Sequence, residues 1–294
     1  MTRSGDRRGT VRIGISGWTY RPWRGVFYPT GLPHKQELAF AAARFPTIEI
    51  NGTFYGLQRP ETFAAWAEQT PDDFTFAVKA PRFLTHIKRL RQIEAPMANF
   101  IGSGLLRLGP KLGPLLWQFP PNFRFDADML AAFLPLLPRD TEQAAAFARH
   151  HADGQLRLGS WLQTDAARPM RHAFEIRHES FSDPAFIALL RAYGVALVCA
   201  DAVEWPRLMD ATTDFVYCRL HGSEVLYASG YDDAALDAWA ARVRAWSNGG
   251  EPADAERVAG PALGRPRDVF VYFDNDAKVR APQDAAGLIQ RLAT

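Results

Sequence analysis

Apolar residues along this chain gather into eight short runs rich in β-branched and aromatic side chains. They are VRIGISGW (11–18), TIEINGTF (47–54), FTFAVKA (74–80), PLLWQFP (114–120), HAFEIRH (172–178), VALVCAD (195–201), FVYCRLHG (215–222) and VFVYFDN (269–275). Runs of this length bounded by turn residues read as strands. Most intervals between them carry helical spacing, among them PETFAAWAEQT, DADMLAAFLPLL, DPAFIALLRAY and DAALDAWAARVRAW. The third is punctuated at both ends: Asp183 is placed to cap, Pro184 suits the first turn and Gly194 stops the helix. Eight strands alternating with helices predict a parallel sheet covered by helices. The number eight favours a closed (β/α)8 barrel, a TIM-like fold of the α/β class, over an open doubly wound sheet. The open fold would carry a Gly-rich turn after its first strand. The nearest candidate, GSG at 102–104, follows a helical stretch and lacks the third glycine. The prediction is a single barrel domain over residues 11–294 behind a flexible polar tail at 1–10. Long excursions fall at about 139–170 and 247–268, the second reading as a surface loop.

Side chains alternate along a strand, so residues two apart share a face. The polar residues near the ends of the runs are Ser16, Glu49 and Asn51, Lys79, Gln118, Glu175 and Arg177, Asp201, Arg219 and His221, and Asp274. Within each strand these share one parity, while Ile48, Ile50, Phe174, Ile176, Cys218 and Leu220 hold the other. The apolar face then meets the helices, and the polar groups point inward at the carboxyl end, where barrel active sites are built. An unpaired buried charge costs several kcal/mol, so these groups must meet each other, water or a ligand. Four acids (Glu49, Glu175, Asp201, Asp274) stand against Lys79, Arg177 and Arg219 plus His221, a balance that permits a self-paired ion network.

Composition adds exclusions. The net charge of +2 is carried entirely by Arg3, Arg7, Arg8 and Asp6 of the tail, which leaves the body neutral. A binder of nucleic-acid phosphates usually shows a basic surplus, so charge gives that reading no support. Two cysteines, Cys199 and Cys218, sit in apolar runs without metal-type spacing and read as buried thiols in a reducing compartment. There is no secretory h-region and no apolar stretch of membrane-spanning length, so a cytoplasmic protein with no membrane partner is expected.

The blocks ISGWTYRPWRGVFYP, IEINGTFYGLQRPETFAAW, FAVKAPRFLTHIKRL, LGPLLWQFPPNF, FEIRHESF, YCRLHG and YFDN closely resemble the YecE-like family, domain of unknown function 72. The resemblance runs from about Val11 to about Leu292. It implies a TIM-barrel fold and brings no reaction with it. Two positions depart from the family pattern. Phe181 stands where the family's E-x-R-x-x-S motif is usually followed by Trp, and Asp274 gives YFDN where the family usually reads YFNN.

The candidate chemistry follows from the mouth. Glu49, Glu175, Asp201 and His221 are the expected proton-moving groups, since carboxylates in unequal environments divide acid and base roles. Asn51, Lys79, His86, Gln118, Arg177, Arg219, Asp274 and Asn275 are the expected ligand contacts, the arginines suiting a carboxylate or phosphate. In the aromatic-rich first loop and the other carboxyl-end loops, Tyr20, Trp23 and Tyr231 are preferred for ligand contact over Trp18, Phe27, Phe54, Tyr55 and Tyr227. No metal or cofactor is expected: HxH and HExxH are absent, and cations in the mouth oppose a dication. The expected function is an enzyme of hydrolase or lyase type acting on a small anionic or polyhydroxylated molecule. The alternatives are a nucleic-acid-binding barrel using residues 82–91, and a small-molecule binder without turnover. Nothing in the sequence marks an oligomeric state.

Overall fold

The structure, a computed structural model, describes residues 8–153, 159–222, 229–262, 264–276 and 278–293. Tyr227 and most of the N-terminal tail lie outside them. The eight strands are β1 (Val11–Ser16), β2 (Thr47–Ile50), β3 (Thr75–Lys79), β4 (Leu112–Gln118), β5 (His172–Glu175), β6 (Ala196–Asp201), β7 (Phe215–Leu220) and β8 (Asp268–Phe273). All neighbours are parallel, and β8 returns to pair with β1, so the sheet closes as a (β/α)8 TIM-like barrel. The helices are α1 (Glu37–Ala42), α2 (Gly52–Tyr55), α3 (Pro60–Glu68), α4 (Glu94–Gly102), α5 (Ala127–Phe133), α6 (Thr141–His151), α7 (Pro184–Tyr193), α8 (Asp233–Ser247) and α9 (Arg280–Ala293).

Helix starts follow cap chemistry. Asp126, Asp140, Asp183 and Asp232 each accept a backbone N–H from the first turn of α5, α6, α7 and α8. Gly194 closes α7 in the left-handed conformation, φ 61°. The β6–β7 connection, residues 202–214, holds no helix. Its outer wall is supplied by the 247–268 excursion instead. Asp210 accepts the backbone N–H groups of Val258 and Ala259, both at 3.0 Å, and Arg191 donates to the carbonyl of Gly260 at 2.7 Å. The segment expected as a surface loop thus covers part of the barrel.

Inside the barrel, Ala77, Leu116, Ala173, Ala196, Val198, Ala200, Phe215, Tyr217, Phe270 and Tyr272 form one buried cluster. Small residues on β5 and β6 face bulky rings on β7 and β8, which fills the interior at that level. The next layer toward the carboxyl end is polar. Most strands end before the apolar runs that predicted them. Asn51, Arg177, His221 and Asp274 therefore sit on the first turns after β2, β5, β7 and β8 rather than on the strands.

Candidate functional site

Arg219 is the centre of the mouth. Its side chain is buried and touches three carboxylates. Nε and Nη2 donate to the two oxygens of Glu49 at 3.1 and 2.8 Å, Nη1 donates to Glu175 Oε2 at 2.7 Å, and Nη2 donates to Asp274 Oδ2 at 2.9 Å. Glu49 also accepts the hydroxyls of Ser16 and, at 2.5 Å, Tyr217. Glu175 accepts Arg177 Nε and Nη2 at 2.9 and 2.8 Å. His221 Nδ1 lies 3.0 Å from Asp274 Oδ2. Burial opposes ionisation of Glu175, but Arg219, Arg177 and His221 outweigh it and hold the carboxyl well below the ordinary range. Asp274 is held low in the same way, burial being outweighed by Arg219 and His221. Asp274 is thus an integral anion of this network.

Lys79 is placed differently. It is buried, and its Nζ stands 4.3 Å from the centroid of the Phe54 ring. Among the described residues no carboxylate lies within 4.0 Å of it and no hydrogen-bond acceptor holds it. Burial, then the charge of Arg219, pushes its pKa down to about 8 from 10.5, although Glu175, Glu49 and Asp274 oppose the shift. Beside it, burial and the charges of Lys79, Arg177 and Arg82 push His86 down to about 4, so this imidazole is neutral at pH 7. On the opposite side of the charge balance, burial and then Asp274 push Asp276 up to about 6.

These groups line a cleft of about 840 Å³ at the carboxyl end of the barrel. Its polar side chains include Lys79, Asn51, Gln118, Arg177, Arg82, His86, Asp274 and Asp276 together with the exposed His34 and Lys35, and Trp18, Tyr20, Phe54, Tyr55 and Trp66 supply rings. Asn51 Nδ2 donates to Ser16 Oγ at 2.9 Å, while Asn51 Oδ1 and Gln118 Oε1 are buried without a hydrogen-bond partner among the described residues. The β1 turn needs glycine at Gly17, φ 80°, where an added Cβ would stand 2.8 Å from Tyr20 Oη. Tyr20 thereby reaches back to donate to the Ser16 carbonyl at 2.6 Å while its ring stays in the cleft wall. After β3 the chain makes a π-helical turn, Phe83–Ile87, and then Arg89, Leu90 and Gln92 adopt left-handed φ of 51°, 62° and 50°. Non-glycine residues rarely occupy that region, at about 1–2 kcal/mol each, and such strain collects at functional sites. The π-helical turn just before these residues holds His86, which lines the cleft.

The mouth therefore unites Tyr20, Glu49, Asn51, Lys79, His86, Gln118, Glu175, Arg177, Arg219, His221 and Asp274. Four expected residues fall elsewhere. Trp23 is fully buried beneath the first loop, tilted against Tyr20 and edge-on to Phe27. Asp201 has the parity of Leu197 and Cys199, which face the helices, rather than of Ala196, Val198 and Ala200, which face the interior. Its carboxylate accepts Tyr231 Oη at 2.9 Å, Trp239 Nε1 at 3.3 Å and Arg207 Nη1 at 3.2 Å. Tyr231 is buried with it and is no cleft ring. Asn275, also of outer parity, is buried and donates to Asp284 at 2.7 Å. Of the acids, Asp274 and Asp276 line this cleft, Glu49 and Glu175 are buried beneath it, and Asp201 lines a second cleft of about 550 Å³ that shares Arg177.

Tyr217, Trp205 and Asp276 were not anticipated. Tyr217 was legible, since it shares the parity of Arg219 and His221. Asp276 lies past the end of β8, and Trp205 lies in the helix-free β6–β7 connection, where strand periodicity says nothing. The Trp205 ring stacks under the Arg177 guanidinium at 4.1 Å and packs edge-on to His221. Among the described residues no group of three or more His, Cys, Asp or Glu side chains could hold a metal. No helix of the described residues is long and apolar enough to cross a membrane.

A closed eight-stranded parallel barrel with a polar, aromatic-walled cleft at its carboxyl end defines the class: a (β/α)8 barrel protein. Residues 12–294 match the family described as protein of unknown function DUF72, and the chain belongs to that family. It is 31% identical over 137 residues to the UPF0759 protein YecE of Escherichia coli K12, a segment that is 40% of this chain and 48% of that protein. It is 28% identical over 118 residues to the UPF0759 protein YunF of Bacillus subtilis, covering 38% and 41% of the two chains. The chain thus spans about half the length of the curated relatives it matches. The crystal structure of a DUF72 family protein from Thermotoga maritima superposes with a TM-score of 0.70 at 24% identity, over 97% of this chain and all of that one. A DUF72 family protein from Enterococcus faecalis gives 0.66 at 17% identity, over 98% and 99%. These two likenesses concern the fold.

Proposed function

We propose that this protein is an enzyme of lyase or hydrolase type that binds a small anionic molecule in the cleft at the carboxyl end of the barrel. The observation that carries this reading is the state of Lys79. Three carboxylates surround the floor, yet Arg219 and Arg177 occupy them, and the one inward ammonium is left without an anion within 4.0 Å among the described residues. A buried cation without a partner is costly, and an anionic ligand removes that cost. Arg177, Arg82 and neutral His86 line the same side of the cleft. The volume is that of a small-molecule site rather than of a nucleic-acid groove.

Proton transfer then passes to other groups than the sequence suggested. Glu175 and Asp274, locked to guanidiniums and held ionised, serve as fixed anions that orient the cations. Lys79 and Asp276, which titrate near neutrality on the cleft wall, are the better acid/base pair. The test is a thermal-shift series with inorganic phosphate, citrate, 2-oxo acids, sugar phosphates and a short oligonucleotide, on wild type, Lys79→Met and Arg177→Ala. A ligand at 100 times its Kd adds about 2.7 kcal/mol. The expected result is a shift with one class of small anion that both variants diminish. Shifts of equal size in all three proteins, or with the oligonucleotide alone, overturn the reading.

A further inference from the structure

We propose that Lys79 is a covalent nucleophile that forms an imine with a carbonyl group of the substrate, which makes the substrate class a small aldehyde or ketone bearing a carboxylate or phosphate. This rests on the reading of the cleft as an anion-binding enzyme site and deepens it. If anion capture were the whole role, arginine would serve better, because it stays charged and binds carboxylate or phosphate with two parallel hydrogen bonds. A lysine that is buried and pressed by a neighbouring guanidinium is instead in the environment that yields a neutral, nucleophilic amine. Lys79 has both features, burial and Arg219 across the floor. The contrast with Lys111 is instructive. That amine is equally buried but donates to the carbonyls of Ala67 and Thr70 at 2.6 and 2.7 Å, which ties up its protons as a helix-end clamp. Lys79 opens on a cleft and has no such acceptor among the described residues.

The step balances without any redox partner. The Nζ lone pair of neutral Lys79 adds to the carbonyl carbon, the C=O π pair moves to oxygen, and that oxygen takes a proton to give a carbinolamine. The nitrogen loses a proton, the hydroxyl is protonated and leaves as water, and the nitrogen lone pair closes the C=N bond. Asp276, on the wall of the same cleft, is the acid for the departing hydroxyl. Gln118 Oε1 and Asn51 Oδ1, buried and without partners among the described residues, accept hydrogen bonds from hydroxyls of the bound molecule. The protonated imine withdraws electrons from the adjacent carbon, which is lyase chemistry, and hydrolysis restores the amine.

The experiment is borohydride trapping on the full-length protein with three probes, glyoxylate, glyceraldehyde 3-phosphate and neutral propanal, read by intact mass and peptide mapping across all five lysines. Lys79 is expected to label at least tenfold faster than Lys88 or Lys278, and faster than Lys35, the exposed lysine of the same cleft, with one adduct per chain, and excess phosphate is expected to suppress the labelling. The pH midpoint at Lys79 should fall near 8, set by Arg219, Glu175, Glu49 and Asp274 around it and by His86 beside it. Lys79→Arg should lose the adduct, and mapping on wild type gives the answer even if that variant fails to fold. No labelling of Lys79 above the surface lysines by any probe overturns the inference. If small anions still raise the melting temperature in a Lys79-dependent way, the anion-binding reading survives that failure. If propanal labels Lys79 and no anion shifts the protein, the nucleophile stands and the anion-binding reading falls.

Discussion

Arg219 on β7 and Glu49 on β2 face each other across the barrel and join through two hydrogen bonds, Nε to Oε2 at 3.1 Å and Nη2 to Oε1 at 2.8 Å, with both side chains buried. The pair is the keystone of the mouth, since Glu175 and Asp274 share the same guanidinium. Breaking a buried pair by removing one member costs about 3–5 kcal/mol, because the other charge stays behind. Arg219→Met is therefore expected to lower the melting temperature by roughly 6–15 °C. The double variant with Glu49→Gln should lose clearly less than the two single losses together, as urea unfolding of the cycle would measure. Strict additivity would mean that the two residues do not act as a pair.

Lys79 gives a pH signature whose sign is set by its depressed pKa. The folded protein releases this proton near pH 8 and the unfolded chain near 10.5, so between these values the unfolded state holds more protons and stability rises with pH. Below pH 8 the buried charge costs on the order of 3 kcal/mol. Lys79→Met should be more stable than wild type at pH 7, with the gap closing by pH 10 in urea unfolding. A gap that is the same at every pH would show that the ammonium is not the cause.

Asp276 has the opposite sign. Burial and Asp274 raise its pKa to about 6, so its stabilising contribution is complete below the ordinary 3.8 and is lost as pH rises through 6. The carboxyl is partly exposed, and solvent screening reduces the effect to about 1 kcal/mol. Asp276→Asn should melt above wild type at pH 8 and level with it at pH 4. A variant that melts lower at pH 8 would contradict the assignment.

Asp201 separates structure from function. It lies on the helix-facing side and anchors Tyr231, Trp239 and Arg207. Asp201→Ala leaves buried donors unmatched, at about 1–3 kcal/mol. The affinity of the cleft for any anion that binds it should change less than twofold in isothermal titration. A tenfold loss of affinity would return Asp201 to the mouth.

Cys199 and Cys218 are register partners on β6 and β7, both buried under the helices. Burial and the neighbouring thiol push Cys218 well up. A thiol reagent should find no reactive group in the native protein and two after denaturation. Rapid labelling of the folded protein would mean that this wall opens.

The barrel was readable from local pattern alone. Eight apolar runs, caps such as Asp183 and the stop at Gly194 are properties of neighbours in sequence, and the two-residue alternation placed Glu49, Lys79, Gln118, Glu175 and Arg219 on the inner face without any coordinates. At Asp201 and Asn275 the expectation ran against that alternation, since their parity is that of Cys199 and Phe273, which face the helices. What only the tertiary structure decided is who pairs with whom. Arg219 could have met any of four acids, and the barrel's closure brings it to Glu49, Glu175 and Asp274 together. That choice leaves Lys79 on the cleft wall beside Phe54, with no carboxylate within 4.0 Å among the described residues. Burial and pairing depend on strands far apart in sequence meeting in space, so the residue with the most chemical potential is marked by its surroundings rather than by its own run of sequence.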